Sequence, residues 1–490
     1  MTYRELLIGL AIGALALAAL ALAFAIRATV RRARDGRPRL WVGLFFRGAL
    51  IAGLLAVGAA SLANVPPPDP VNHPNPAAAD ATIAFLKTSR DATPQTVVGV
   101  SARDGSTRWI RTLDGPIASL LSPTPDMVLA PTAVGLYALR TADGAVLWRS
   151  QVVTYIAAGA MAADEARVYA VVPASPARGT GAQDIIALDL HTGALAWRVP
   201  LPASIQQGQR LAVGDGLVYV VGAAAHDGPG FTPWMVAALR AADGAAQWAT
   251  TGPVVMGTYA QVQAVFLLRG YAVIVPVVGP VTGLRERDGA IAWTATPNLE
   301  EPDNPPQIIS ATADSDTIYM VWQPYHWATG VNGRPIPPPM SMSAMAVGGT
   351  IRWHMNVQPA SSGWSSLTIR DGVLLSGNNV TASRAFGGYN ANGSLLSAYD
   401  AASGRLLWRD NTPRVGVSWN MSTQISPWGG DGAAYLMGVQ SGSYYIQDRF
   451  NCVFLCSPGV AWLYAVNVHT GAPWWRVRTG SVNLARPFVF

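Results

Sequence analysis

Lysine occurs once in 490 residues, at Lys87, and cysteine twice, at Cys452 and Cys456. Charged side chains of all kinds make up only 13% of the chain. So few cysteines cannot build a thiolate cage for a structural zinc, and no histidine stands near them to complete one. No Cys-x-x-Cys-His run is present to attach a c-type haem, and no Gly-x-Ser-x-Gly elbow, phosphate loop or dinucleotide fingerprint occurs in a credible context. The net charge of +6 is also narrowly placed. Residues 1–64 hold eight arginines and two acids, which leaves 26 basic and 26 acidic side chains for everything that follows. The large C-terminal portion therefore has no basic excess to attract a phosphate backbone, and nucleic acid is excluded as its partner.

The chain is rich in Gly (49), Pro (36) and Trp (17), and half of its residues are hydrophobic. That mixture suits a turn-rich, all-β body with a large core. Its N-terminus has a different character. Leu6–Ile26 is 21 residues without a charge, enough at ~1.5 Å per residue to cross a ~30 Å hydrocarbon layer. An arginine-rich loop, 27–39, separates it from a second apolar segment, 41–63, interrupted only by Arg47. Arginine-rich loops stay cytoplasmic, so residues 1–64 are expected to form a two-helix membrane anchor (6–26 and 41–63) with both ends outside. The second segment also reads as a signal sequence ending at Ser61-Leu62-Ala63, and both readings export the remainder. Residues 65–80 are proline-rich and are expected to be an extended spacer.

Beyond residue 80 one pattern recurs eight times, with glycine four residues before tryptophan. The pairs are Gly105/Trp109, Gly144/Trp148, Gly193/Trp197, Gly244/Trp248, Gly289/Trp293, Gly349/Trp353, Gly404/Trp408 and Gly471/Trp475. Six residues before each glycine stands a small side chain, from Gly99 and Ala138 to Ser343 and Ala465. An alternating strand followed by an Asp/Thr-Gly turn and a Trp-bearing partner strand describes a hairpin, and the small residue leaves room for the indole. Further apolar runs upstream of most copies give about four strands for each interval between tryptophans, which range from 39 to 67 residues. This is the spacing of propeller blades.

The copies resemble the repeat of the pyrroloquinoline-quinone (PQQ)-type propeller family, Ala-x-Asp-x-x-Thr-Gly-x-x-x-Trp. Ala187, Asp189, Thr192, Gly193 and Trp197 match it in full, whereas Arg140, Arg240 and Arg285 replace its acid. The resemblance covers nearly all of the chain after residue 81 and implies an eight-bladed propeller of four-stranded antiparallel sheets, each Trp docking one blade on the next. Before the first Trp only three strands fit, so Val482–Phe490 is expected to complete the first blade. The lengthened connections fall between second and third strands, on the face opposite the glycine turns. Their aromatics, Trp234, Tyr325, Trp327, Tyr389, Tyr444 and Tyr445, are candidates for contacting a partner.

The family includes quinone-dependent dehydrogenases, which implies a calcium-bound PQQ and a catalytic Asp, often with an adjacent Cys-Cys disulfide. Here Cys452 and Cys456 are not adjacent, and in an exported loop they are expected to pair with each other. Acids in the lengthened connections are few, and the triplet of Glu300, Glu301 and Asp303 falls short of the oxygens a hard cation needs. No catalytic residue, cofactor or metal ligand is therefore assigned. The family's non-catalytic branch implies an extracytoplasmic scaffold or protein-interaction subunit of an envelope or membrane complex. A PQQ-dependent alcohol or sugar dehydrogenase with an atypical site, passing electrons to the membrane, is the alternative.

Overall fold

The computed structural model describes Pro74, Asn75 and residues 81–482, leaving aside 88–95, 118, 153–159, 175–181, 206–209, 225–232, 255–260, 299–303, 326–327, 330–334, 337–339, 358–365, 382–390, 410–416, 421–431 and 441–458. The two anchor segments, most of the spacer, and residues 483–490 lie outside the described residues.

Among the described residues the alternating segments from Thr82 onward form eight antiparallel blades, seven four-stranded and the first three-stranded, each with its strands in chain order, and a two-stranded hairpin inserted into the sixth. Blade 1 comprises Thr82–Leu86, Thr96–Ser101 and Thr107–Thr112, as the space before the first tryptophan requires. Blade 4 is representative of the others: Arg210–Gly214, Leu217–Ala223, Pro233–Arg240 and Ala246–Val254. In each blade the middle strands are buried almost throughout (Leu217–Ala223 reads Val, Tyr, Val, Val), while the fourth alternates exposed and covered residues. Sheets packed on both faces need continuous apolar runs only in their middle strands. Val482, expected to open the closing strand, instead pairs with Gly459 in the outermost strand of blade 8, Pro473–Val482; the remainder of that expected strand, 483–490, lies outside the described residues. Asn75 departs from the reading of residues 65–80 as a free spacer: it is fully buried, and its amide donates to the carbonyl of Arg103 at 2.7 Å.

The repeat builds a clasp. In each blade the small residue of the last strand but one lies opposite the tryptophan of the last, as Gly99↔Trp109, Ala187↔Trp197 and Ala465↔Trp475, and a one-residue bulge follows the pair. The indole is thereby aimed at the next blade, where its ring lies over the turn glycine. A Cβ on Gly471 would come within 2.6 Å of the Trp408 ring. The same glycine has φ +72, a left-handed conformation that a side chain resists on its own account. The indole N–H then donates to the carbonyl three residues before that glycine: Trp109 to Thr141 and Trp148 to Leu190 at 2.8 Å, Trp408 to Val468 at 2.9 Å. The last clasp runs from blade 8 back to blade 1, Trp475 to the carbonyl of Ala102 at 3.0 Å, so the ring is closed across 373 residues of sequence. Ile83 and Phe85 of blade 1 share one apolar cluster with Tyr435 and Leu463 of blade 8.

Blade 6 breaks the register expected of it. Trp353 stands opposite Ala344, and Ser343 faces His354 instead. The cause is a shorter turn. Gly349 donates to the carbonyl of Ala346, three residues back, whereas Gly193 and its counterparts reach four back to residues such as Asp189. One residue is missing between strand and glycine, so counting back from the glycine overshoots the small residue by one. The consequence falls on blade 5, whose Trp293 rests on this turn. Its indole N–H is buried without a hydrogen-bond partner, and the Gly349 site stands 3.4 Å from its ring.

The turns are tied in two ways. Where the acid of the repeat is kept, Asp189 accepts from the amide and hydroxyl of Thr192 at 2.8 Å, and Asp400 does the same with Ser403 at 2.9 and 2.6 Å. These contacts, the hydroxyl's first, hold both carboxyls below their usual range. Where arginine replaces the acid, an aspartate has moved to the position before the glycine. Asp143, Asp243 and Asp288 accept from the amides of Ala145, Ala245 and Ala290, and pair with Arg140, Arg240 and Arg285 at 2.9–3.1 Å. The apparent departures from the repeat are thus a second, self-consistent turn chemistry.

Two outcomes follow for chemical denaturation. Trp148→Phe leaves a buried carbonyl unpaired and should cost about 1–3 kcal/mol more than the loss of ring area. Trp293→Phe removes a donor that bonds nothing and should cost distinctly less. Arg240→Asp sets two carboxylates three residues apart on an exposed turn and should lower stability slightly, the more so at low salt. Adding Asp243→Thr should recover most of that loss by restoring the first turn chemistry.

Candidate functional site

Three regions could carry function: the wall of the axial channel, the edge with lengthened connections, and the seams between blades. First strands of successive sheets pack on one another around the axis, for example Arg210–Gly214 against Val262–Leu268 and Pro306–Ala313 against Ser366–Arg370. Among the described first strands of blades 2–8 the only charged residues are Arg210 and Arg370; the polar remainder is Ser, Thr, Gln and Asn. Arg210 reaches from blade 4 to blade 5, its Nε donating to the carbonyl of Val262 at 3.1 Å, and burial pulls its guanidinium below its ordinary value. Calcium takes six to eight oxygens, usually several carboxylates among them. The described channel wall offers none, so these residues do not fit a calcium-bound quinone.

The lengthened connections leave from the end of each blade opposite the clasps. Of the aromatics expected there, Trp234 is fully buried in a strand, its ring pressed on Gly252 of the adjoining strand. It is a core residue and presents nothing to a partner. The third strands begin earlier than the sequence spacing suggested, because an extended backbone keeps pairing as long as a partner strand continues. Trp234 pairs with Ala223, and Trp322 likewise belongs to a strand and is buried. Tyr325 is half-buried against the cluster of Trp234 and Val278, its amide donating to the carbonyl of Pro305 at 2.9 Å. Trp327, Tyr389, Tyr444, Tyr445, Cys452 and Cys456 lie outside the described residues.

At the seams, a row of side chains was not anticipated. On second strands Tyr169, Tyr219, Tyr319 and Tyr435 stand beside the small residue that faces the tryptophan, giving the row Tyr–small–Trp with ring centroids 5.8–6.1 Å apart. Two of the hydroxyls are held by an acid five residues earlier, in the turn between first and second strands: Tyr169 by Asp164 at 2.8 Å and Tyr319 by Asp314 at 2.7 Å. The spacing Asp-x-x-x-x-Tyr was readable in the sequence and marks these positions.

The seam between blades 4 and 5 departs from this arrangement. Gly214 stands where the acid should be, and the hydroxyl of Tyr219 is buried without a hydrogen-bond partner. Near it lies Glu286, only 8% exposed. The backbone of Glu286 is part of the clasp: its carbonyl accepts from Trp248 at 2.8 Å and its amide donates to the carbonyl of Gly270 at 3.1 Å. On the blade 4 side of the seam stands Asp215, an exposed residue in left-handed conformation (φ 49). Burial first, then Asp215, push the Glu286 carboxyl up to about 7.

A family model described as outer membrane protein assembly factor BamB matches residues 132–304. No curated protein matches the chain. Similar solved structures include BamB from Moraxella catarrhalis, 16% identical over 76% of this chain and 94% of that one, with a TM-score of 0.43. A quinohemoprotein alcohol dehydrogenase from Comamonas testosteroni is 15% identical over 83% and 78% of the two chains, with a TM-score of 0.46. The computationally designed Ika8 protein is 14% identical over 80% and 96%, with a TM-score of 0.43. The matched segment spans blades 3, 4 and 5 and the later part of blade 2, and over it the chain is similar to BamB; the glycine–tryptophan clasp of these blades recurs in the others of the eight-bladed ring.

Proposed function

We propose that the propeller is a non-enzymatic, protein-interaction subunit of an envelope or membrane complex, held at the outer side of the cell membrane by the segments 6–26 and 41–63. The observation that carries this reading is the match of residues 132–304 to the model of an assembly factor. Two further features support it. The described channel wall is neutral apart from two arginines, which suits a scaffold better than a calcium-dependent oxidation. And the ring is clasped on one edge while its lengthened connections share the other, so a rigid base presents a variable surface. The dehydrogenase alternative rests on family membership alone, and fold does not bring activity with it.

Extracted from membranes in mild detergent, the full-length chain should migrate with at least one envelope or membrane protein in fixed ratio. Migration as a lone monomer after cross-linking in cells would overturn the scaffold reading, and saturable binding of PQQ with calcium to the same preparation would favour the dehydrogenase. The anchor is tested separately by topology. A reporter active only outside the cytoplasm should work when fused after residue 80 and fail when fused within residues 27–39; the reverse would overturn the orientation.

A further inference from the structure

The residue on which a clasp ends is held from two sides. Its carbonyl accepts the indole of the preceding blade, and its amide donates within its own blade to the residue just before the second strand. This second bond is made in all eight blades at 2.8–3.1 Å, as Thr141 to Asp126, Leu190 to Ala166 and Val468 to Gly432. In blades 2–7 the accepting residue lies in a turn of two or three residues that follows the first strand, so the inner strand fixes it. Blade 1 has no such support among the described residues. Its accepting residue is Ala81, which precedes the strand Thr82–Leu86 with no described first strand behind it.

The turn that lacks this support is the one that closes the ring. Ala102 gives its amide to the carbonyl of Ala81 at 2.9 Å and takes the Trp475 indole of blade 8 on its own carbonyl at 3.0 Å. The next carbonyl along the turn, that of Arg103, accepts from the Asn75 amide at 2.7 Å. Asn75 is fully covered although it stands seven residues before the first described strand. Among the described residues the counterparts of Arg103 in other blades, such as His191, Arg287 and His469, receive no backbone amide. A buried amide has no water to turn to, so loss of its partner carries the full cost of desolvation.

We infer that Asn75 is the lock of the closing seam, taking for blade 1 the part that the first strand plays in blades 2–7. Its bond fixes Arg103 and with it the adjacent Ala102, on which both Trp475 and Ala81 converge. The turns of blades 2–7 are steadied by their own sheets, and this one by the chain that leads into the ring. Attachment and closure thereby become one device. Residues 65–74 join Asn75 to the N-terminal apolar segments, so tension along them meets this bond before it meets any described sheet. Release of Asn75 frees the turn at Ala102 and loosens the one seam whose two blades come from opposite ends of the chain. The lock stands whether or not those segments are an anchor, because Asn75 belongs to the same compact unit as the ring, Asn72–Phe490.

Amide hydrogen exchange in the full-length chain is the test. Asn75→Pro removes the donating N–H. Exchange at the Ala102 amide should then rise about tenfold, the effect of one lost buried bond on a local opening. The corresponding amides of Thr141 and Leu190 should keep their rates, as controls within the same molecule. Asn75→Ala retains the donor and should accelerate Ala102 distinctly less. In the wild type alone, the Asn75 amide should exchange as slowly as the Ala102 amide, because both open with the same turn; this readout survives if the proline variant folds poorly. An Asn75 amide that exchanges at the rate of an unstructured chain would overturn the lock. So would a proline variant in which Ala102, Thr141 and Leu190 change alike or not at all. Equal effects of the two substitutions would overturn it too, since the loss would then lie in the side chain.

Discussion

An indole lying on the glycine of a neighbouring turn is the contact on which this ring depends. It does two jobs at once, because the ring face covers a backbone that has no side chain while the ring N–H fixes the carbonyl three residues before it. Neither job can be shifted alone. A Cβ on the glycine would displace the indole, and a displaced indole would leave a buried carbonyl without its donor, at a cost of about 1–3 kcal/mol. Repeated from blade to blade and closed by Trp475 on Ala102, the contact turns separate hairpin sheets into one body whose ends meet. The one-residue bulge after each small–Trp pair belongs to the same device, since it aims the indole out of its own sheet.

This explains what could be read without coordinates. Glycine before tryptophan at fixed spacing is visible because both residue types serve the clasp, so blade number, order and the three strands that precede the first tryptophan were all legible. The small residue was legible too, except in blade 6, where a turn shortened by one residue moved the pairing from Ser343 to Ala344. Spacing arguments assume a constant turn, and the local hydrogen bond decides whether the turn is constant. The candidate site was less legible. Trp234 looked like a loop residue because strand ends carry no sequence mark when pairing simply continues, and burial then made it core. The seam acids went unnoticed because Glu286 sits in a repeat position where the side chain varies, and only its backbone serves the clasp.

The clasp also divides the molecule into an edge that cannot vary and one that can. On the turn edge each backbone group is bound to a neighbour, by Asp189 with Thr192 in one chemistry or by Asp243 with Arg240 in the other. Most copies differ by both residues together, while Asn467 with Thr470 and Ser101 with Asp104 change one member and keep the turn bonds of the other. On the opposite edge connection length varies widely, from the tight Tyr271–Pro276 to Val281–Arg285 link of blade 5, which also bonds blade 6 through Ile308 to the carbonyl of Val277 at 2.7 Å, to the inserted hairpin, Ala328–Thr329 with Pro335–Ile336, of blade 6. Length can therefore change on the second edge without disturbing the clasps of the first.

Blades 4 to 6 show where that division weakens. The clasp at Trp293 has lost its hydrogen bond, whereas the preceding one, Trp248 on Glu286, keeps it at 2.8 Å. The seam between blades 5 and 6 thus depends more on ring packing, and on the bond from Ile308 to the carbonyl of Val277 at the opposite edge, than on its indole. A closed ring cannot open at one seam without strain on the rest, so the intact clasps on either side hold the seam that lacks its bond.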